Sequence, residues 1–204
     1  MYQPEKYKKD ELSFAKKMIH RYPFATVVLK NEEFFATHIP VLLEEAEEDL
    51  ILFAHIANHN PMRKYLQDGE NLLLIFKGAD AYISSSWYKD KNISTWDYSA
   101  VHIQANVQLQ SETELKESLK KLISRFEKHE KNPVFYEDIP IQMLSENLQQ
   151  ITGFWCRPIS VKGVGKWHQA FEKEDVESVI NHLQQKKCPL STELAADIKK
   201  EHDL

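Results

Sequence analysis

At residue 111 the hydrophobic pattern of this chain changes period, and that change constrains the fold more than any other feature. Residues 98–110 alternate strictly. Val101, Ile103, Ala105, Val107 and Leu109 fall on one side, and Tyr98, Ala100, His102, Gln104 and Asn106 on the other. This is the two-residue period of an extended strand with one apolar and one polar face. From Ser111 the period becomes helical. In SETELKESLKKLISRFEKHE (111–130), Leu115, Leu119, Leu122, Ile123 and Phe126 share one helix face, and Ser111 and Glu114 stand at capping-box spacing.

The rest of the chain sorts around that boundary. A helix is expected over 10–22, with Asp10 as its cap and Pro23 as its stop. Strands follow at 24–30, 34–43 and 50–56, with the acidic EEAEED (44–49) as a solvated hairpin tip. One or two helical turns fit 62–68, and strands fit 71–78 and 79–84. Beyond the 111–130 helix come a short helix near 140–149 and a last strand at 151–165, edge-like or bulged at Pro158. Two helices, at 176–185 and 191–200, occupy the C-terminal stretch 172–201. The pattern reads as a single α+β domain over 1–204: a barrel of mainly antiparallel strands in 23–110, flanking helices and a helical C-terminus.

Several chemistries find little support in the sequence. Its net charge of −5, with Lys and Arg spread thinly, forms no basic face for direct DNA binding. Cys156 and Cys188 match neither a disulfide framework nor a zinc spacing. There is no apolar leader at the N-terminus and no run of 18 apolar residues, so the expectation is a reduced, cytoplasmic protein without a membrane span. His55 and His59 are four apart, but one ends a strand and the other lies in a loop, so no metal site is expected. Neither GxSxG nor a phosphate-binding glycine loop is present. KGVGK (162–166) suits either an anion cradle or a plain surface turn.

One stretch stands out. AYISSSWYKDKNISTWDYSAVHI (81–103) gathers two Trp and three Tyr among Ser and Thr, with Lys89 and Lys91 beside them and no Gly or Pro. Rings offer stacking faces to a flat heterocycle, and hydroxyls both donate and accept along its edge. A Trp-rich core corner beside a polar loop would produce the same composition.

The ordered set MYQP, THIP, HIANHNP, IFKGADAYISSSWY, STWDYSAVHI and GFWCRPISVKGVGKWHQ, running through nearly the whole chain, resembles the PaiB-type FMN-binding negative transcriptional regulators. The resemblance implies a split-barrel flavin-binding fold, FMN as cofactor, and a homodimer with FMN at the subunit interface. Four motifs carry it onto this chain. The first falls on His55, Ala57, Asn58, Asn60 and Pro61, and the second on Tyr82, Ser84, Ser86, Trp87 and Tyr88. Thr95, Trp96 and Tyr98 match the third, and Lys166 and Gln169 the fourth.

The departures are specific. Asn58 replaces an Arg, removing a bidentate phosphate donor; Ser85 and Ser94 replace prolines; Asp97 replaces an Asn and adds negative charge beside the expected phosphate. Val164, Trp167, His168 and Ala170 also differ from the fourth motif. The expected function is thus an FMN-binding split-barrel regulator, with flavin-dependent redox activity if it is an enzyme. Asn58 and Asp97 favour the alternative of a cofactor-free dimeric interaction protein. Haem binding on the same barrel rests only on the His content and fold analogy.

Overall fold

The computed structural model describes residues 1–45, 49–90 and 92–204. Part of the acidic run expected as a hairpin tip, and Lys91, lie outside the described residues. Seven strands form one sheet in the order β2-β1-β5-β6-β7-β4-β3. They are β1 (Phe24–Lys30), β2 (Phe34–Pro40), β3 (Leu42–Leu43), β4 (Leu52–Ala57), β5 (Asn71–Ile83), β6 (Thr95–Leu109) and β7 (Ile151–Lys166). β1 pairs antiparallel with β2 and β5, and β4 with β3 and β7. Helices α1 (Leu12–Arg21), α2 (Glu112–Glu127), α3 (Ile141–Leu148), α4 (Lys173–Gln185) and α5 (Pro189–Glu201) complete an α+β fold.

The chain gathers into two compact units. The internal unit comprises Ile19–Phe76 and Ile103–Val161; the terminal unit comprises Met1–Met18, Lys77–His102 and Lys162–Leu204. β5, β6 and β7 each supply residues to both.

In the internal unit, β1 alternates as a half-buried strand should: Ala25, Val27 and Leu29 are buried while Phe24 and Lys30 are exposed. α2 starts on the expected capping box. Ser111 accepts the Glu114 N–H, and the Glu114 carboxylate accepts the Ser111 N–H at 2.8 Å. The other Glu114 oxygen accepts the Trp155 indole N–H at 3.0 Å, tying the helix start to β7. Pro158 sits two residues beyond Cys156, the last β7 position paired with β4, so its missing N–H removes no bond to that strand. Glu44 departs from the solvated reading of its acidic run: it is buried and ion-paired with Lys121 of α2.

In the terminal unit, Ala79, Ala81 and Ile83 of β5 pack with Val176, Val179, Ile180 and Leu183 of α4 and Leu194, Ala195 and Ile198 of α5. The apolar face of each helix, repeating every three or four residues, closes this core. Two expectations are corrected here. Residues 71–83 form one strand rather than two, because the chain does not turn at Gly78; instead the buried side switches, from Leu72, Leu74 and Phe76 to Ala79, Ala81 and Ile83. Asp10 does not cap α1. That helix opens on the Glu11 carbonyl, while the Asp10 carboxylate accepts the Gly163 N–H at 3.1 Å and the Gln3 amide.

Candidate functional site

The residues singled out in the aromatic stretch belong to the terminal unit, on the β5 end, the turn after it, and the start of β6. Inward alternation of Val101, Ile103, Ala105 and Val107 extends back by twos through Ser99 to Asp97, both fully buried. The even-numbered residues therefore point the other way, and Trp96 is half exposed. Tyr82 of β5 is also largely exposed, and its ring centroid lies 6.1 Å from that of Trp96. The Trp96 indole N–H donates to Asp80 at 3.1 Å, and Asp80 in turn pairs with Lys77, so the indole is held while its ring remains open to solvent.

Beside this pair lies a cation that reaches the start of β6. The Lys166 ammonium, at the end of β7, donates to the Thr95 hydroxyl and to the Trp96 carbonyl at 2.9 Å. It also stands 3.7 Å from Asp97 Oδ1. Gln169 fixes the turn after Lys166: its amide donates to the Gly165 carbonyl at 2.7 Å and to Glu201 at 2.9 Å, and its oxygen accepts the Trp167 N–H at 2.8 Å. The turn contains His168 and Ala170 in the left-handed region, at φ 63° and 69°, which non-glycine residues adopt only when their surroundings hold them there.

What holds His168 is a buried chain of polar groups. Its Nδ1 bonds to Asp97 Oδ2, and its Nε2 lies 3.0 Å from the Tyr88 hydroxyl. Asp97, His168 and Tyr88 are all buried, and Phe171 packs on both rings. Burial first, then the negative charges of Asp97 and Asp175 and the nearby Tyr7, push the Tyr88 phenol up to about 12. Asp97 therefore points into the core, where His168, another departure from the family motif, bonds its Oδ2.

The other aromatic and hydroxyl candidates divide by environment. Trp87 is engaged by the protein, stacked on His182 at 5.0 Å and 9°, with the Lys186 ammonium 4.7 Å from its ring centre. Ser84 and Ser86 hydroxyls lie 2.9 Å apart and shape the turn after β5. Tyr98 is half-buried on β6. Lys89 pairs with Glu174 at 2.8 Å, so its charge is matched by α4. KGVGK is neither cradle nor turn: it ends β7, and the Gly163 N–H is already donated to Asp10.

His55, Ala57, Asn58 and Asn60 belong to the internal unit. Desolvation lowers the His55 pKa from its ordinary value, which favours the neutral ring. Asn58 occupies the position of the missing arginine and is fully used: its amide donates to the Gln149 carbonyl at 2.8 Å and its oxygen accepts from Thr152 at 2.6 Å. The same Thr152 hydroxyl accepts Nε of Arg63 at 2.7 Å, which places a guanidinium one residue removed from Asn58. Sequence reasoning missed Arg63, because it lies outside the motif and reaches the site only through Thr152 on β7. Asn60 caps the short turn Pro61–Tyr65, accepting the Met62 N–H at 3.0 Å. A groove of about 830 Å³ between α2 and α3, floored by Tyr136, Ile139, Leu144 and Leu148, contains none of these residues. Among the described residues, no group of three or more His, Cys, Asp or Glu is placed to hold a metal ion.

Residues 1–157 match the model of a family described as "Putative FMN-binding domain". Over 196 residues, 96% of this chain and 95% of the relative, the sequence is 30% identical to the protease synthase and sporulation protein PAI 2 of Bacillus subtilis (strain 168). The chain belongs to the PaiB-type FMN-binding family. The fold of this family member is similar to two solved structures. The flavocytochrome Anf3 from Azotobacter vinelandii superposes with a TM-score of 0.63 at 15% identity, over 84% of this chain and 75% of that one. The FAD and heme binding protein from Mycobacterium smegmatis gives 0.60 at 13% identity, over 84% and 80%. At such identities the likeness speaks for the split-barrel α+β fold alone. No helix among the described residues is long and apolar enough to cross a membrane.

Proposed function

We propose that this PaiB-type protein binds FMN, with the isoalloxazine against the exposed Tyr82 and Trp96 rings and Thr95 and Lys166 as donors to its phosphate. The observation that carries the reading is the exposed Tyr82–Trp96 pair beside a partly exposed ammonium. A large aromatic left open on a strand usually has a partner or ligand to cover it, and a planar heterocycle with acceptor atoms fits rings flanked by donors. Ser84 and Ser86 add hydroxyls on the same turn. Trp87 and Tyr88 act behind them, as support rather than as stacking faces. His55, Asn58 and Asn60 belong to the internal unit and enter this reading only through the family motif they match or replace.

A flavin held there supplies hydride and single-electron chemistry. The residues of this chain bind and orient it. Pairing of two copies into a homodimer belongs to the same reading, supported by the exposed rings. Any regulatory role is then indirect, exercised through flavin state or a protein partner, because the net charge of −5 offers little to DNA.

The test is the visible spectrum of the purified protein, repeated after saturation with FMN and desalting. Flavin bands that survive desalting are expected, together with quenched flavin fluorescence. A colourless protein after both treatments would reject the cofactor, and light scattering that gives a monomer mass would reject the dimer.

A further inference from the structure

Asp97 is a buried carboxylate with two unequal sides. Oδ2 is bonded to His168, while Oδ1 has no hydrogen-bond partner among the described residues and faces the Lys166 ammonium at 3.7 Å. Asp97 is fully buried, whereas Lys166 keeps 22% of its side chain accessible. A buried charge must be compensated, and here two candidates for that task flank one carboxylate.

The two candidates differ in what they can do. Lys166 is the one reachable from solvent, and it already donates to Thr95 and the Trp96 carbonyl. His168 is the fixed one, buried and locked between Asp97 and Tyr88. Its ring suits either protonation state without losing a bond. As a neutral imidazole it donates from Nδ1 to Asp97 and accepts the Tyr88 O–H at Nε2. As an imidazolium it donates from both nitrogens, and the Tyr88 hydroxyl rotates to accept. The raised Tyr88 phenol keeps its own proton throughout this range.

We infer that Lys166 and His168 share Asp97 as their common counter-charge, so that an anion engaging Lys166 from solvent is bound together with a proton on His168. When an anionic group draws the ammonium's charge to itself, Asp97 is left less compensated. The imidazole beside it then gains proton affinity. The proton comes from solvent and resides on His168 Nε2, shared with the Tyr88 oxygen; no other bond changes. The anion class is a phosphate or phosphomonoester, the FMN phosphate of the proposed function, on which the ligand part of this inference rests.

Other charged groups around His168 do not replace either partner. Asp175 at the start of α4 and Tyr7 act on Tyr88 from its far side. At the end of α5, Glu201 is paired with Lys9, and the His202 ring bonds the Trp167 carbonyl. Neither Glu201 nor His202 bonds Asp97.

Nitrogen-15 NMR of the histidine side chains, with His168 assigned by the H168Q variant, reads the linkage directly. K166M is expected to raise the His168 protonation midpoint, because removing a cation near the shared carboxylate favours the imidazolium. K166R, which keeps the charge, is expected to leave it in place, and D97N to lower it. An unmoved midpoint in folded K166M overturns the inference. Calorimetry of FMN binding in two buffers of different ionisation enthalpy supplies the second readout. Proton uptake that disappears in H168Q supports the linkage, and FMN binding without uptake overturns it while the flavin reading stands. If K166M shifts the midpoint but FMN does not bind, the linkage stands on that shift and the flavin reading falls.

Discussion

The Tyr88 hydroxyl lies 3.0 Å from His168 Nε2, and these buried rings, 80 positions apart in sequence, close a polar chain that begins at Asp97. Removing one member strands a charge in the core. H168L is expected to destabilise the protein by about 3 kcal/mol, since it leaves Asp97 buried against an apolar side chain. The double variant D97N/H168L removes the buried charge together with its partner and is expected to recover most of that loss. Urea unfolding of the two single variants and the double variant measures the coupling. Additive effects would mean that the two residues do not act as a pair.

Trp87 of the second motif and Trp96 of the third have opposite roles. W96A removes a half-exposed ring and is expected to cost little stability while weakening FMN binding about tenfold. W87A removes the ring stacked on His182 and Lys186 and is expected to destabilise the terminal unit first. Thermal melts and flavin titration of both variants check the division. Equal losses of binding, with both folds intact, would contradict it.

The cysteines should react in two distinct phases. N–H donors from Ser191 first and then Leu190, at the start of α5, hold the exposed Cys188 thiol below its ordinary value, so a larger fraction is thiolate near neutral pH. Burial pushes Cys156 up to about 12. With an aromatic disulfide reagent, one equivalent is expected rapidly and the second only in denaturant. Two fast equivalents in native buffer would refute the assignment.

Alkaline conditions should weaken the fold. Cys156 and Tyr88 both hold their protons more tightly folded than unfolded, with folded values raised to about 12 from 9.0 and 10.0. Above those unfolded values the unfolded chain loses the protons first, so stability is present at neutral pH and declines as pH rises from about 9 towards 12. C156A is expected to flatten the first part of that decline in urea midpoints measured across the range.

Gly163 is a position where backbone crowding requires glycine. A Cβ there would stand 2.0 Å from the Lys9 carbonyl oxygen and 2.9 Å from the Phe14 ring. G163A is expected to cost about 2 kcal/mol by forcing the N-terminal segment off β7. Gly69, at φ 83° with open space around it, is limited by backbone conformation instead.

Much of this protein was decided by sequence alone, because local physics sufficed. The two-residue alternation set the inward stripe of β6, and the capping box set the start of α2; neither needs a distant partner. The aromatic and hydroxyl motifs, in their order, placed the chain in its family. Continued backwards, the β6 alternation also carries the signal that Asp97 points inward, although the motif suggested a ligand contact. Tertiary structure decided what distance along the chain conceals. Asp10 serves Gly163 rather than its own helix, Arg63 approaches Asn58 through Thr152, and Asp97 meets a histidine 71 positions later. A hydrophobic period reports which side of an element is buried. Which polar group receives a buried charge depends on where another strand ends, and no local pattern encodes that.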